Sequence, residues 1–172
     1  AFLVVLIIYL FSNSMYYSFN LSERHLSESE RNAMQWIEKN TLEDSKFLVI
    51  TGDQNAFCDP TNEWFPSLSK RESLTTVQGS EWLLGNDFGR NMIQIHNLQS
   101  CIDEGMECFA RESNLFGKPF DYVYISIAPN TKNCGLSDSS ARTIRGLITA
   151  FESAQEYSTA YRSEKVVLFE KK

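Results

Sequence analysis

The chain has 172 residues, and its 16 Lys and Arg residues against 22 Asp and Glu residues give a formal net charge of −6. The length is typical of one domain, and 42% apolar with 22% charged residues exclude a disordered or low-complexity chain. An acidic chain without a Lys/Arg cluster is a poor candidate for binding nucleic acid. Only His25 and His96 are present, in separate segments, and we expect neither a metal site nor a bound cofactor.

The first segment is strongly apolar. Residues 2–11 are all apolar, and as a helix they would cover about 15 Å, half of a hydrocarbon core of about 30 Å. Tyr16 and Tyr17 suit a membrane interface, and no Lys or Arg occurs before Arg24, although positive charge marks the cytoplasmic flank. We therefore expect residues 1–19 to be the end of a transmembrane helix with its interfacial segment. A buried helix or strand and a signal-peptide core are the alternatives.

Patterns of apolar residues predict the elements in chain order. A capping box at Ser27 and Glu30 opens a helix that stops near Asn40. The segments that follow are a strand at 46–51, a loop with Pro60 and Pro66, a strand at 73–78, a helix at 95–109, a strand at 120–127, a helix that begins near Asp138 with its stripe at 141–151, and a hairpin at 159–162 and 165–170. Residues 20–172 are therefore predicted to form one α/β domain, with a mixed, partly parallel sheet flanked by helices and a C-terminal β-hairpin.

The four cysteines allow a disulfide framework or four reduced, buried thiols. In an unbroken helix, Cys101 and Cys108 would lie about 10.5 Å apart along the axis, beyond the limit of about 7 Å for a disulfide. A bridge between them requires a helix break, and Gly105 lies where a break can occur. Cys58 and Cys134 would then join two loops, each after an apolar strand. If those strands run parallel, both loops leave the sheet at the same edge.

The segment from Asp53 to Trp82 is the candidate functional face. Its substrate-binding candidates are two acidic–Trp pairs with a basic residue and an amide between them: Glu63, Trp64, Arg71, Gln78, Glu81 and Trp82. Aromatic faces beside carboxylates and amides suit a polyhydroxylated ligand, and ligands of α/β sheets gather beyond the carboxyl ends of strands. Alternatively, the Trp side chains pack onto the sheet and Arg71 pairs with Glu63 or Glu81. A hydrolase would require Glu63 and Glu81 to share one cleft.

Four stretches resemble a known family. They are Glu30-Arg31-Asn32-Ala33-Met34-Gln35-Trp36-Ile37 with Asn40-Thr41, Phe47-Leu48-Val49-Ile50, Glu63-Trp64-Phe65-Pro66-Ser67-Leu68-Ser69-Lys70-Arg71 with Gln78-Gly79-Ser80-Glu81-Trp82, and Tyr161-Arg162-Ser163-Glu164-Lys165-Val166-Val167-Leu168-Phe169. Together they resemble the C-terminal soluble domain of polytopic membrane glycosyltransferases of the C superfamily, the lipid-phosphosugar-dependent, mannosyltransferase-like enzymes. In that family the catalytic acidic residues lie in loops of the membrane portion, so the resemblance implies no catalytic residue within this chain.

The resemblance implies a domain on the extracytoplasmic side of the cell membrane, in an enzyme that transfers sugar from a lipid-phosphate donor. The domain would assist acceptor binding or cap the active site without carrying catalysis. Its expected partners are the rest of its own membrane-embedded chain, the lipid bilayer, and a lipid-linked sugar or glycan acceptor. The alternative is a membrane-tethered binding or sensor domain without enzymatic activity.

Overall fold

A computed structural model describes residues 2–22, 26–127 and 139–172. The helices in these ranges are α1 (Phe2–Ser22), α2 (Glu28–Asn40), α3 (Pro60–Ser69), α4 (Ser80–Leu84), α5 (Phe88–Glu104), α6 (Met106–Phe116) and α7 (Ser139–Ser153). The strands are β1 (Lys46–Ile50), β2 (Glu72–Ser73), β3 (Tyr122–Ser126), β4 (Tyr157–Arg162) and β5 (Val166–Lys171). The α/β class predicted from the sequence is confirmed.

The five strands form one mixed sheet in the order β2-β1-β3-β5-β4. Strand β1 is parallel to both β2 and β3, whereas β5 is antiparallel to β3 and to β4. The last two strands are the predicted C-terminal hairpin. Because β1 and β3 are parallel neighbours, the segments that follow them leave the sheet at the same edge.

Helices cover both faces of the sheet. Successive side chains of a strand point to opposite faces, so Phe47 and Val49 of β1 lie in one apolar cluster and Leu48 and Ile50 in the other. Helices α2 and α3 complete the first cluster, and α5, α6 and α7 complete the second. A strand buried on both faces explains why residues 47–50 are uniformly apolar.

Helix α2 begins as its sequence predicts. The Ser27 hydroxyl accepts a hydrogen bond from the Glu30 amide, while the Glu30 carboxylate accepts one from the Ser27 amide at 2.9 Å. This reciprocal capping satisfies two amides that a helix start otherwise leaves unpaired. The helix ends at Asn40, also as predicted.

The helix that the sequence predicts around residues 95–109 is two helices, broken at the predicted glycine. Gly105 has φ +83°, a backbone conformation that residues with a Cβ rarely adopt. The break brings Cys101 and Cys108 to a Cα separation of 5.3 Å, and they form the predicted disulfide. Cys58 is also disulfide-bonded, but Cys134 and its predicted pairing lie outside the described residues, as does the cap near Asp138.

Two expectations in the segment from Asp53 to Trp82 are wrong. The predicted loop around Pro60 and Pro66 contains α3, because Asp59 caps the helix and proline is favoured in a first helical turn. The predicted strand at 73–78 is only β2. Its ladder stops because the Thr75 hydroxyl, rather than a backbone carbonyl, accepts the Val49 amide hydrogen at 3.1 Å.

Helix α1 exposes its apolar residues. Every side chain from Phe2 to Phe11 is exposed, with relative exposures from 43% to 81%. Among the helices that the structure describes, none combines the length and apolar character needed to cross a bilayer. The prediction that residues 1–19 end a transmembrane helix stays a prediction.

Candidate functional site

The six candidate residues of the segment from Asp53 to Trp82 do not all meet in one place. Glu63 and Trp64 are exposed on α3, and Trp64 retains 49% of its surface. Glu81 and Trp82 are exposed on α4, where Trp82 retains 86%. Of the six, only Gln78 lines the pocket described below.

Arg71 is buried and bonded to the end of α2. Its guanidinium donates to the backbone carbonyls of Glu38 and Thr41, each at 2.7 Å, and to the Thr41 hydroxyl at 3.0 Å. These carbonyls lie at the C-terminus of a helix, where carbonyls lack partners within the helix and positive charge is favourable. Arg71 therefore pairs with neither Glu63 nor Glu81, and its geometry is that of a residue that fastens α3 and β2 to α2.

A pocket of about 380 Å³ lies between edge strand β2, α4 and the start of α5. Its apolar wall consists of Pro66, Leu74, Leu83 and Leu84. Its polar groups come from Glu72, Ser73, Thr76, Gln78, Ser80, Asn91 and Lys118. A concave site with an apolar wall and a few converging polar groups is the usual form of a small-ligand site.

Asn91 is the most buried polar residue of this pocket, and none of the sequence patterns above identifies it. It is 9% exposed, and within the described residues its side-chain amide has no hydrogen-bond partner. It occupies position i−4 relative to Ile95 in the buried stripe of α5, where an apolar residue is expected. An amide at a buried stripe position is the sequence signal that could have found it.

A second polar cluster lies at the carboxyl edge of β1 and β3. Gln99 accepts from the Thr51 and Gly52 amides at 2.9 Å each and donates to the Val49 carbonyl at 2.8 Å. Asp59 accepts from the Thr51 hydroxyl at 2.6 Å, and burial raises the pKa of its carboxyl. Because these groups are buried and satisfy one another, their role is to hold the backbone that leaves β1.

Asp53 is the exception in this cluster. It is 2% exposed, and its Oδ1 accepts from the Asn55 amide at 2.8 Å. Its Oδ2 is buried and has no hydrogen-bond partner among the described residues. Desolvation, opposed by the Asn55 hydrogen bond and reinforced by the nearby Asp59 carboxylate, raises the pKa of Asp53 to about 6.

The raised pKa of Asp53 predicts a specific pH dependence of stability. The folded state holds the proton more tightly than the unfolded state, so the stabilisation that this proton provides is complete only below the ordinary pKa of 3.8 and is lost as pH rises through 6. We expect the free energy of unfolding of Asp53→Asn, relative to the native chain, to increase by about 2 kcal/mol between pH 4 and pH 7.5. Urea unfolding at a series of pH values measures this difference, and the exposed Asp44→Asn is the control. A difference that does not vary with pH would contradict the prediction.

The comparisons with known proteins find a likeness in structure but none in sequence. The sequence matches no known protein-family profile and no curated protein. The structure is similar to the C-terminal globular domain of an oligosaccharyltransferase from Archaeoglobus fulgidus, with a TM-score of 0.48 and 13% sequence identity. The match covers 86% of this chain and 99% of that chain. A likeness of this strength leaves the family and function of the chain to be argued from its own residues.

Proposed function

We propose that this chain is the C-terminal, extracytoplasmic domain of a membrane-embedded glycosyltransferase that uses a lipid-phosphate-linked sugar donor. The domain helps to hold the acceptor beside an active site that the membrane portion provides. The pocket beside β2 is the acceptor site in this proposal, since it combines an apolar wall with amide groups.

One observation carries this proposal: the four stretches that resemble the family, apart from residues 78–82, are far apart in sequence but pack together in space. The Trp36 and Tyr161 rings lie 5.2 Å apart between centroids, as do the Phe47 and Phe65 rings. Arg71 joins the third stretch to the first through its bonds to Thr41. Because the residues that carry the resemblance contact one another, they support a common origin of this layer with the family.

Two further features support the extracytoplasmic and membrane parts of the proposal. The disulfide between Cys101 and Cys108 is of a kind that persists in oxidising compartments. The exposed apolar residues of α1 form a continuous surface that is costly in water and favourable in lipid. Both features are equally compatible with a tethered sensor domain, so the decisive test is enzymatic.

The test compares the complete gene product in proteoliposomes with the 172-residue chain alone. The probe is a polyprenyl-phosphate hexose, and the readout is release of polyprenyl phosphate in the presence of a glycan acceptor. We expect turnover by the complete protein and none by the 172-residue chain. Turnover by the chain alone that Glu63→Gln or Glu81→Gln abolishes would instead indicate a hydrolase. A complete protein without turnover would favour the sensor domain.

A further inference from the structure

We propose that the pocket beside β2 binds the pyranose ring of a neutral sugar, and that the Asn91 amide holds two neighbouring hydroxyls of that ring. The identification of this sugar with the glycosyl acceptor rests on the proposed function. The binding site itself rests on the geometry of Asn91 and its surroundings.

The first argument is the state of Asn91. A side-chain amide that makes no hydrogen bond within the fold contributes little to stability, and an apolar side chain of similar shape at the same mostly buried position is neutral or stabilising. Asn91 is nine-tenths buried as a residue and lines the pocket, its amide atoms keep some access to solvent, and it makes no side-chain hydrogen bond within the part of the chain that the structure describes. A ligand in the pocket would supply the missing hydrogen bonds.

The second argument concerns ligand charge. The two charged residues of the pocket have opposite signs, and each has a partner elsewhere. Glu72 pairs with Lys46 at 3.5 Å, and the Lys118 ammonium lies 5.6 Å from the centroid of the Phe116 ring. The pocket therefore offers no excess charge for an anion or a cation, which favours a neutral ligand.

The third argument concerns ligand shape. A primary amide donates through nitrogen and accepts through oxygen, so Asn91 and Gln78 each match a pair of neighbouring hydroxyls. Leu83 and Leu84 provide an apolar wall for the C–H face of a ring. A ligand with hydroxyl groups at its rim and an apolar face is a sugar ring.

The sheet edge argues against an extended peptide as the ligand. Leu74 donates its amide hydrogen to the Phe47 carbonyl at 2.9 Å. In the parallel ladder the backbone N–H and C=O groups of Glu72 and Leu74 therefore point towards β1. Within this two-residue strand, only Ser73 has backbone groups that point away from the sheet and could pair with a peptide. One residue provides too few backbone hydrogen bonds for strand addition.

Saturation-transfer NMR on the 172-residue chain tests the proposal. The probes are the methyl glycosides of mannose, glucose and galactose, with glucose 6-phosphate and tetra-alanine as the anionic and peptide comparisons. We expect saturation transfer to the ring protons of at least one methyl glycoside. Asn91→Leu should reduce it by about fivefold or more, the loss expected for one hydrogen bond.

Two readouts separate a binding role from a structural one. Asn91→Leu should keep or raise the melting temperature, and Asn97→Ala, which changes an exposed amide of the same helix, should leave binding unchanged. The proposal is overturned if no methyl glycoside binds, if only the phosphate or the peptide binds, or if Asn91→Leu binds as the native chain does. If a glycoside binds but the complete protein shows no turnover, the proposed sugar site is supported and the proposed glycosyltransferase function is refuted.

Discussion

Glu30→Ala is expected to lower the free energy of unfolding by about 4 kcal/mol, because one buried carboxylate joins three elements. Its Oε2 accepts from the Ser27 amide and hydroxyl, at 2.9 and 2.8 Å. Its Oε1 accepts from the Thr61 hydroxyl at 2.8 Å and the Ser126 hydroxyl at 2.9 Å. The substitution removes the carboxylate half of the reciprocal capping at α2 and leaves two buried hydroxyls in α3 and β3 without this acceptor.

Urea unfolding at neutral pH measures this effect. Glu28→Ala removes an exposed carboxylate from the same first turn of α2 and is the matched control. Glu30→Gln should give an intermediate loss, since an amide keeps one acceptor oxygen but cannot accept through nitrogen. Equal free energies of unfolding for Glu30→Ala and Glu28→Ala would show that the buried hydrogen bonds of Glu30 make no net contribution to stability.

Arg71→Ala is expected to lower the free energy of unfolding by about 3 kcal/mol. Arg71 is 7% exposed, and removal of its guanidinium leaves the terminal carbonyls of α2 without their donor. Arg71→Lys should restore little, because an ammonium cannot reproduce the fork that reaches Glu38 and Thr41 together. Arg90→Ala is the control, since the Arg90 side chain is 77% exposed and pairs only with Asp87 at 3.3 Å in the described structure.

The same variant decides between the two roles considered for Arg71. If Arg71 fastens α3 and β2 to α2, the melting temperature of Arg71→Ala falls, and any loss of sugar transfer by the complete protein follows from that instability. If it binds substrate instead, transfer falls while the melting temperature stays within the error of the Arg90→Ala control. The second result would show that Arg71 is a substrate-binding residue.

Local patterns were sufficient to predict most of the fold. The cap at Ser27, the break at Gly105 and the continuous burial of 47–50 each follow from short-range chemistry that a sequence displays. Helix α3 was missed because its two prolines were interpreted as loop residues. Asp59 as the cap and Pro60 in the first turn are in fact helix-starting signals.

The site was harder to predict because it depends on long-range geometry. The charge and hydrogen-bond donors of Arg71 are typical of a binding residue. Only the position of the α2 C-terminus in the fold shows that these donors bind backbone carbonyls instead. Gln78 lines the pocket, whereas Trp82 is 86% exposed and does not line it, and the predicted binding role of both residues stays a prediction. Asn91 was hidden because it belongs to a stripe whose other members are packed for stability.

The position of β5 in the sheet bears on how the domain is made. Although β5 is the last of the five strands in sequence, it lies between β3 and β4. Val166 and Leu168 enter one apolar cluster, and Val167 and Phe169 enter the other. During synthesis, neither cluster can close before β5 emerges, and until then the backbone edge of β3 that faces away from β1 has no partner strand. Only a chain translated through β5 can reach the folded state, so an incomplete chain exposes its apolar strands to proteases and chaperones.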